Sequence, residues 1–285
     1  MALTPFRLLV AARDGSPRVL GVRDSIERFL SSQTGVEVRY VELSDDLNFS
    51  EGNPELIIVL GGDGAILRAC RQMGRVQRPI LGLNLGRLGF LADLSPDEFL
   101  EQFPRLRARE FHVSEHLMFE CTITRDDGSC EVHLGLNEVA LTSAVCLRMI
   151  DVELQIEDQP VTTYSCDGLI VSTPVGSTAH SLSAGGPILN QDLHAFVVTP
   201  ICPHTLTNRP VIDHADRRYS LRVARAAEGA VAVIDGQIRR PIGLGDRIEI
   251  RRAPCAFRLA RLPGARYYAT LHKKLGWGGQ PRYQG

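Results

Sequence analysis

The sequence predicts an α/β domain built on a parallel sheet, followed by a β-rich domain, with the C-terminal segment returning to the first. Three observations carry this. Over the first ~95 residues, strand-like runs alternate with segments of helical spacing, as expected for strands joined by crossover helices. From about Phe111 the chain is strand after strand, with turn signals at hairpin spacing. The last stretch, RYYATLHKKLGWGG, turns helical, with Tyr268, Leu271 and Leu275 on one face. Residues 1–100 are therefore drawn as the α/β domain, with 268–285 packing back on it, and 101–267 as the β-rich domain.

The elements follow in order. FRLLVAA is a short apolar run interrupted by Arg7, and reads as a first strand rather than a signal peptide. SPRVLGVRDSIERFLSS places Val22, Ile26, Phe29 and Leu30 near helical spacing, and GVEVRYVEL alternates as a strand does. ELIIVL is continuously apolar, as a strand buried on both faces requires. GAILRACRQM opens a helix straight after glycines, and PILGLNLG is a further short strand. SPDEFLEQFPRL marks the change of character and receives no element. Beyond it, VSEHLMFECTITRDDGSCEVHLGLNEVAL and RMIDVELQIEDQPVTTY carry the turns DDGS and EDQP. LIVSTP, AFVVTPI, YSLRVAR, AVAVIDGQ and DRIEIRRA complete the strands.

Composition narrows the classes. The chain has 285 residues, is 44% hydrophobic and 23% charged, and carries a formal net charge of -1. That balance is ordinary for a folded globular protein and leaves no electrostatic footprint for nucleic acid or an anionic membrane. No apolar run approaches the roughly 18 residues that span a bilayer. The cysteines at 70, 121, 130, 146, 166, 202 and 255 are odd in number and form no CxxC pair. They read as reduced thiols of a cytosolic protein. His112 and His116 have the spacing of helical metal ligands, but their surroundings read as strand entry, so no metal site is expected.

Four stretches carry chemistry. LGGDGAIL, Leu60 to Leu67, sets glycines between a strand and a helix, so backbone amides can approach an anion. It is neither a Walker loop nor GxGxxG. Its Asp63 either caps a helix or accepts the proton of a hydroxyl attacking a γ-phosphate. CDGLIVSTPVGSTAHSLSAGGPIL, Cys166 to Leu189, packs hydroxyls and small residues more densely than a strand needs, which suits a sugar or phosphate ligand. GLNEVAL sets Asn137 beside Glu138 at a strand break, and VIDGQ reads as a hairpin turn.

Together these residues resemble the NAD kinase family over nearly the whole chain. LGGDGAIL, LGLNLGRLGFLAD, NEVAL, the arginine of LRMIDVE, DGLIVSTPVGSTAHSLSAGGPIL, PICPHTLTNRPVI, IDGQ and LHKKLGWG carry the resemblance. GGDG is shared with lipid kinases and phosphofructokinases, whereas the STPVGSTAHSLSAGGP block is far more specific. The resemblance implies transfer of the γ-phosphoryl of ATP, or of polyphosphate, to the 2′-hydroxyl of the adenosine ribose of NAD, giving NADP. It implies Asp63 as general base, with Gly64 against the substrate. Asn137 and Glu138 would hold the ribose or pyrophosphate, and Asp167 the nicotinamide end. Thr178, Ala179, His180 and Ser183 would line the adenine and ribose pocket. Gln237 and Arg148 would complete it, Arg148 from a neighbouring subunit. It further implies a Rossmann-like α/β domain, a β-sandwich-like domain, and a homodimer or homotetramer, alongside the cytoplasmic location and the lack of a membrane or nucleic-acid partner read from composition. Mg²⁺ would arrive with the nucleotide phosphates, keeping several waters, with no metal ligands from the chain.

The sequence departs from its relatives at three positions. They usually carry Tyr where this chain has His180, Thr where it has Ala65, and in many cases a basic residue where it has Ser165. The imidazole still stacks, over less area; the missing hydroxyl at 65 bears on ATP affinity or donor choice. Two other readings stand beside this one. A kinase for another hydroxyl, on a lipid or sugar, shares GGDG but leaves the GSTAHSLSAGG block unexplained. A non-catalytic dinucleotide sensor would keep the pocket and lose the base, yet Asp63 is present.

Overall fold

A computed structural model describes residues 5–12, 16–43, 48–86, 89–92, 94–145, 148–205, 209–226, 229–264 and 267–276. The chain divides into two units, 1–114 with 258–285, and 115–257.

The first unit holds β1 (Phe6–Ala12), α1 (Pro17–Ser31), β2 (Val36–Glu42), β3 (Leu56–Leu60), α2 (Asp63–Gln72), β4 (Ile80–Leu83) and α3 (Pro96–Arg107). The strands are ordered β2-β1-β3-β4, and every pairing among them is parallel. β3 is buried at all of its residues, because helices cover both faces. Leu56, Ile58 and Leu60 share one core with Ile26 and Leu30 of α1 and with Phe99, Phe103 and Leu106 of α3. α2 lies on the opposite face, against Gly82. A Cβ there would come within 2.5 Å of Ile66 Cδ1, so the strand must be bare at that point.

α3 is an element that composition alone had passed over. Ser95 accepts from Glu98 N and Glu98 accepts from Ser95 N, a complete capping box, and Pro96 opens the helix where no amide is required. The domain boundary drawn from sequence at residue 100 falls inside this helix. Two elements stand further along the chain in the same unit, the end of a long strand and α5 (Tyr267–Leu275). Leu271 of α5 is buried, but Tyr268 is 68% exposed, so the face drawn from sequence through Tyr268 is not buried as a whole.

The second unit is β-rich. It contains most of β5 (His112–Thr124), then β6 (Cys130–Gly135), β7 (Glu138–Ser143), β8 (Ile150–Ile156), β9 (Gln159–Cys166) and β10 (Gly168–Ser172). There follow a 3₁₀ turn (Gly176–Thr178), α4 (His180–Ser183), β11 (Ala195–Ile201), β12 (Val211–His214), β13 (Tyr219–Ala226), β14 (Ala230–Ile234), β15 (Ile238–Ile242) and the larger part of β16 (Arg247–Arg261). One antiparallel sheet runs β12-β11-β10-β7-β14-β15. β16, β13, β8 and β9 pair antiparallel in a second. Val139, Val171, Val198 and Ile234 of the first sheet and Val152, Leu154, Leu221 and Ile250 of the second share one core. That is a sandwich, the form two half-apolar sheets take when they cover each other. EDQP and IDGQ are tight hairpin turns with paired positive φ, Glu157 and Asp158 at 52° and 62°, Asp235 and Gly236 at 48° and 66°. Among the described residues no helix is long and apolar enough to cross a membrane.

Candidate functional site

In the first unit the site begins where β3 runs out. Gly61 has φ 149°, and a Cβ on it would meet the Ala65 Cβ at 2.8 Å. Gly62 is the N-cap of α2, and Asp63 and Gly64 are its first two residues. A carboxylate in the first helical turn suits the positive end of the helix dipole. Asp63 does more than cap. Its Oδ2 accepts from Phe90 N at 2.8 Å, and its Oδ1 accepts from Leu91 N and Ala92 N, each at 3.1 Å. The chain must be bare beside it, since a Cβ on Gly89 would lie 2.0 Å from Asp63 Oδ1. Phe90 is itself held: its carbonyl accepts from Arg261 Nη2 at 3.1 Å, and Lys274 Nζ of α5 sits 4.0 Å from the ring centroid. Ala65 is buried beneath the glycine turn.

In the second unit the centre is the turn between β6 and β7. Asn137 is half-buried and Glu138 buried. The carboxylate of Asp235, in the β14–β15 turn, accepts from three consecutive amides of that turn. Asp235 Oδ1 takes Leu136 N at 3.2 Å, Asn137 N at 2.8 Å and Glu138 N at 3.2 Å, while Oδ2 takes Leu136 N at 3.0 Å. The Asp235 amide returns a bond to Glu138 O at 2.9 Å. Sequence reading had noted IDGQ without singling out its aspartate; the positive-φ hairpin signal was there, but not its partners. Glu138 Oε2 is buried with no hydrogen-bond partner among the described residues. Burial, and then the Asp235 charge, push the Glu138 carboxyl up to about 8.

The hydroxyl-rich block sorts into two sets. Ser172, Thr173, Ser177 and Ser181 are buried and internally bonded. Ser172 Oγ donates to Asn137 O at 3.1 Å, and Thr173 Oγ1 donates to Leu136 O at 2.5 Å while accepting from Gly176 N. Ser177 Oγ donates to Pro174 O and accepts from Leu189 N, and Ser181 Oγ meets Thr199 Oγ1 at 2.9 Å. Gly176 lets the chain press on the Asn137 turn, for a Cβ there would fall 2.1 Å from Asn137 O. The other set reaches the surface: Thr178 and Ala179 are half-buried, and His180 and Ser183 exposed. These are the four that sequence assigned to the pocket. Arg148, Asp167 and Gln237 are exposed. Ser165 Oγ donates to Asp151 Oδ1, so this position is occupied locally. No cluster of three or more His, Cys, Asp or Glu side chains suited to a metal occurs among the described residues.

A glycine turn at the carboxyl end of a parallel strand, opening a helix, in a chain that also carries a β-rich unit with buried acidic groups, defines a class: α/β proteins whose strand-to-helix turn suits an anionic ligand. Comparison narrows it. Residues 21–111 match the ATP-NAD kinase N-terminal domain and 136–262 the ATP-NAD kinase C-terminal domain. The chain is 45% identical over 267 residues to an NAD kinase of Rhodopirellula baltica, covering 93% of this chain and 86% of that one. It is 36% identical to an NAD kinase of Geobacter sp. strain M21, covering 95% and 99%. The structure resembles an NAD kinase from Archaeoglobus fulgidus in complex with ATP, with TM-score 0.77, 29% identity and 96% and 100% coverage. It shares its fold with yeast NADH kinase complexed with NADH, with TM-score 0.85, 21% identity and 100% and 91% coverage. The chain belongs to the ATP-NAD kinase family.

Proposed function

We propose that the protein transfers the γ-phosphoryl of ATP to the 2′-hydroxyl of the adenosine ribose of NAD, releasing NADP and ADP, with Asp63 as general base. Family membership supports the reaction. The observation that carries the base is the hydrogen bonding of Asp63. A carboxylate offers roughly four acceptor sites, two on each oxygen. Among the described residues Oδ1 accepts from two amides and Oδ2 from one, which leaves Oδ2 the oxygen suited to a further donor. A ribose hydroxyl donating there is oriented, and its proton passes to Oδ2 as the new P–O bond forms and the bond to the β-phosphate oxygen breaks. A hydroxyl is far less acidic than a carboxylic acid, so the transfer accompanies bond formation rather than preceding it.

The remaining roles follow the same reading. Gly64 lies against the substrate; Asn137 and Glu138 hold the dinucleotide, with Asp167 at its nicotinamide end. Thr178, Ala179, His180 and Ser183 line the adenine and ribose pocket, and Gln237 and a neighbouring subunit's Arg148 complete it. The protein works in the cytoplasm as a homodimer or homotetramer. Its β-rich domain binds NAD and its α/β domain supplies the base. The divalent ion enters as part of the substrate, Mg·ATP, and keeps several of its waters.

The test is a phosphorylation assay with ATP, Mg²⁺ and NAD, reading NADP with an NADP-specific dehydrogenase. Parallel reactions replace NAD by NADH and ATP by polyphosphate. Asp63→Asn should lower kcat by about 100-fold or more, with a much smaller change in NAD affinity. Equal loss in both would make Asp63 a binding residue. NAD binding with no product from any donor would make the protein a dinucleotide sensor.

A further inference from the structure

We propose that Asp235 is a positioning residue for the dinucleotide, and that burial together with the fixed charge of Asp235 keeps Glu138 in the acid form, so that Glu138 meets the dinucleotide as a hydrogen-bond donor. This rests on the function proposed above and adds a proton to it.

The geometry carries the first half. Asp235 is 4% exposed, and four amide bonds from three consecutive residues fix its carboxylate against the Asn137–Glu138 turn. Amide donors favour the charged form of a carboxylate. The direction in which Asn137 and Glu138 leave the backbone is therefore set by a side chain nearly a hundred residues away in sequence, at a separation of 98 for Asn137.

The second half follows from what surrounds Glu138. Its side chain is 4% exposed and its Oε2 has no partner among the described residues. β10 pairs Ser172 with it, whose hydroxyl donates to Asn137 O and Thr173 O, and the next residue, Thr173, donates its hydroxyl to Leu136 O. The β14–β15 turn faces it with Asp235, and among the described residues that is the charge whose field bears on it. A carboxylate buried beside another carboxylate, without a donor on its second oxygen, carries uncompensated charge. A carboxylic acid in the same place carries one O–H, which needs an acceptor. The acceptor class that fits is a ribose hydroxyl oxygen. Glu138 would then favour a polyhydroxylated ligand while adding no negative charge beside a pyrophosphate.

Two readouts test this in wild type, Glu138→Gln and Asp235→Asn. The first needs no ligand: thermal unfolding between about pH 5 and pH 9. Glu138 is raised to about 8 in the folded chain from 4.5 in the unfolded, so the native state holds a proton that unfolding releases across that interval. Relative to Glu138→Gln, wild type should lose stability as pH rises through it. The second is NAD affinity by calorimetry. Wild-type affinity should hold up to about pH 8 and then weaken, approaching tenfold per pH unit. The bend should vanish in Glu138→Gln and move to lower pH in Asp235→Asn. A bend that persists in Glu138→Gln, or stays in place in Asp235→Asn, overturns the proposal. So does a flat stability difference between wild type and Glu138→Gln, a readout that stands even if Asp235→Asn does not fold. The expected stability difference without any NAD binding would sink the proposed function and leave the coupling between the two acids intact.

Discussion

Gly89 shows how closely the proposed base is enclosed. Its missing Cβ leaves room for Asp63 Oδ1, and a methyl there would come within 2.0 Å of that oxygen and 3.1 Å of Ala92 O. Gly89→Ala should therefore push the amides of residues 90–92 off the carboxylate. The expected result is a kcat loss comparable to that of Asp63→Asn, with NAD affinity nearly retained; an unchanged kcat would show that the amides do not set the carboxylate's position. At this scale GGDG and NE stand in the sequence as short motifs, and the roles given to them come from the family resemblance rather than from the residues alone. The site was not legible where the partner is a backbone amide or lies far along the chain. Phe90 N is 27 residues from Asp63, and Leu136 N is 99 from Asp235. A backbone N–H leaves no mark in residue identity, so both cradles had to be seen folded.

Elements read well where period and turn chemistry agreed. β3 is continuously apolar and buried at every residue, and the helix after the glycines begins at Asp63. α3 was missed although its capping box, S-x-x-E with proline between, lies open in SPDE. The change of composition that begins after it hid the helix, and Pro104 stands inside it. The packing overrides both, because Phe103 rests edge-to-face on Phe29 at 5.3 Å and Phe99 edge-on to Phe103 at 5.7 Å. The cap is worth testing by itself. Ser95→Ala should destabilise the protein by ~1 kcal/mol and lower the thermal midpoint modestly, leaving NAD affinity alone. A change in NAD affinity would tie this helix to the site directly.

For the whole molecule, charge and pH set the limits of stability. Glu131 accepts from Arg125 at 2.5 Å, Arg240 at 2.7 Å and His133 at 3.0 Å. Burial pushes its carboxyl up, but the bonds from Arg240, His133 and Arg125 outweigh that and hold it down at about 2. Its folded value lies below the unfolded 4.5, so the stabilisation is fully present above pH 4.5 and disappears as pH falls through about 2. Wild type should thus exceed Glu131→Gln in thermal midpoint at neutral pH, and the gap should close on acidification. A gap independent of pH would mean that the loss is one of packing. The sequence draws its lines at 100/101 and 267/268, where the composition and the period change, whereas the contacts divide the chain at 114/115 and 257/258. The difference lies in α3 and in the two long strands β5 and β16, which run on past the points where composition changes.

The hairpin turn at Asp235 asks two things of one residue. With φ at 48°, its backbone is left-handed, a conformation open mainly to glycine, asparagine and aspartate. Its carboxylate must also reach three amides. In a saturation library at this codon, selected for growth on the protein's product, glycine should recover folded but poorly active clones. Asparagine should recover partial function, and alanine or glutamate should drop out. A broad, permissive column would mean that neither demand is real. A column narrowed to aspartate would show that backbone handedness and charge have together closed this position to substitution.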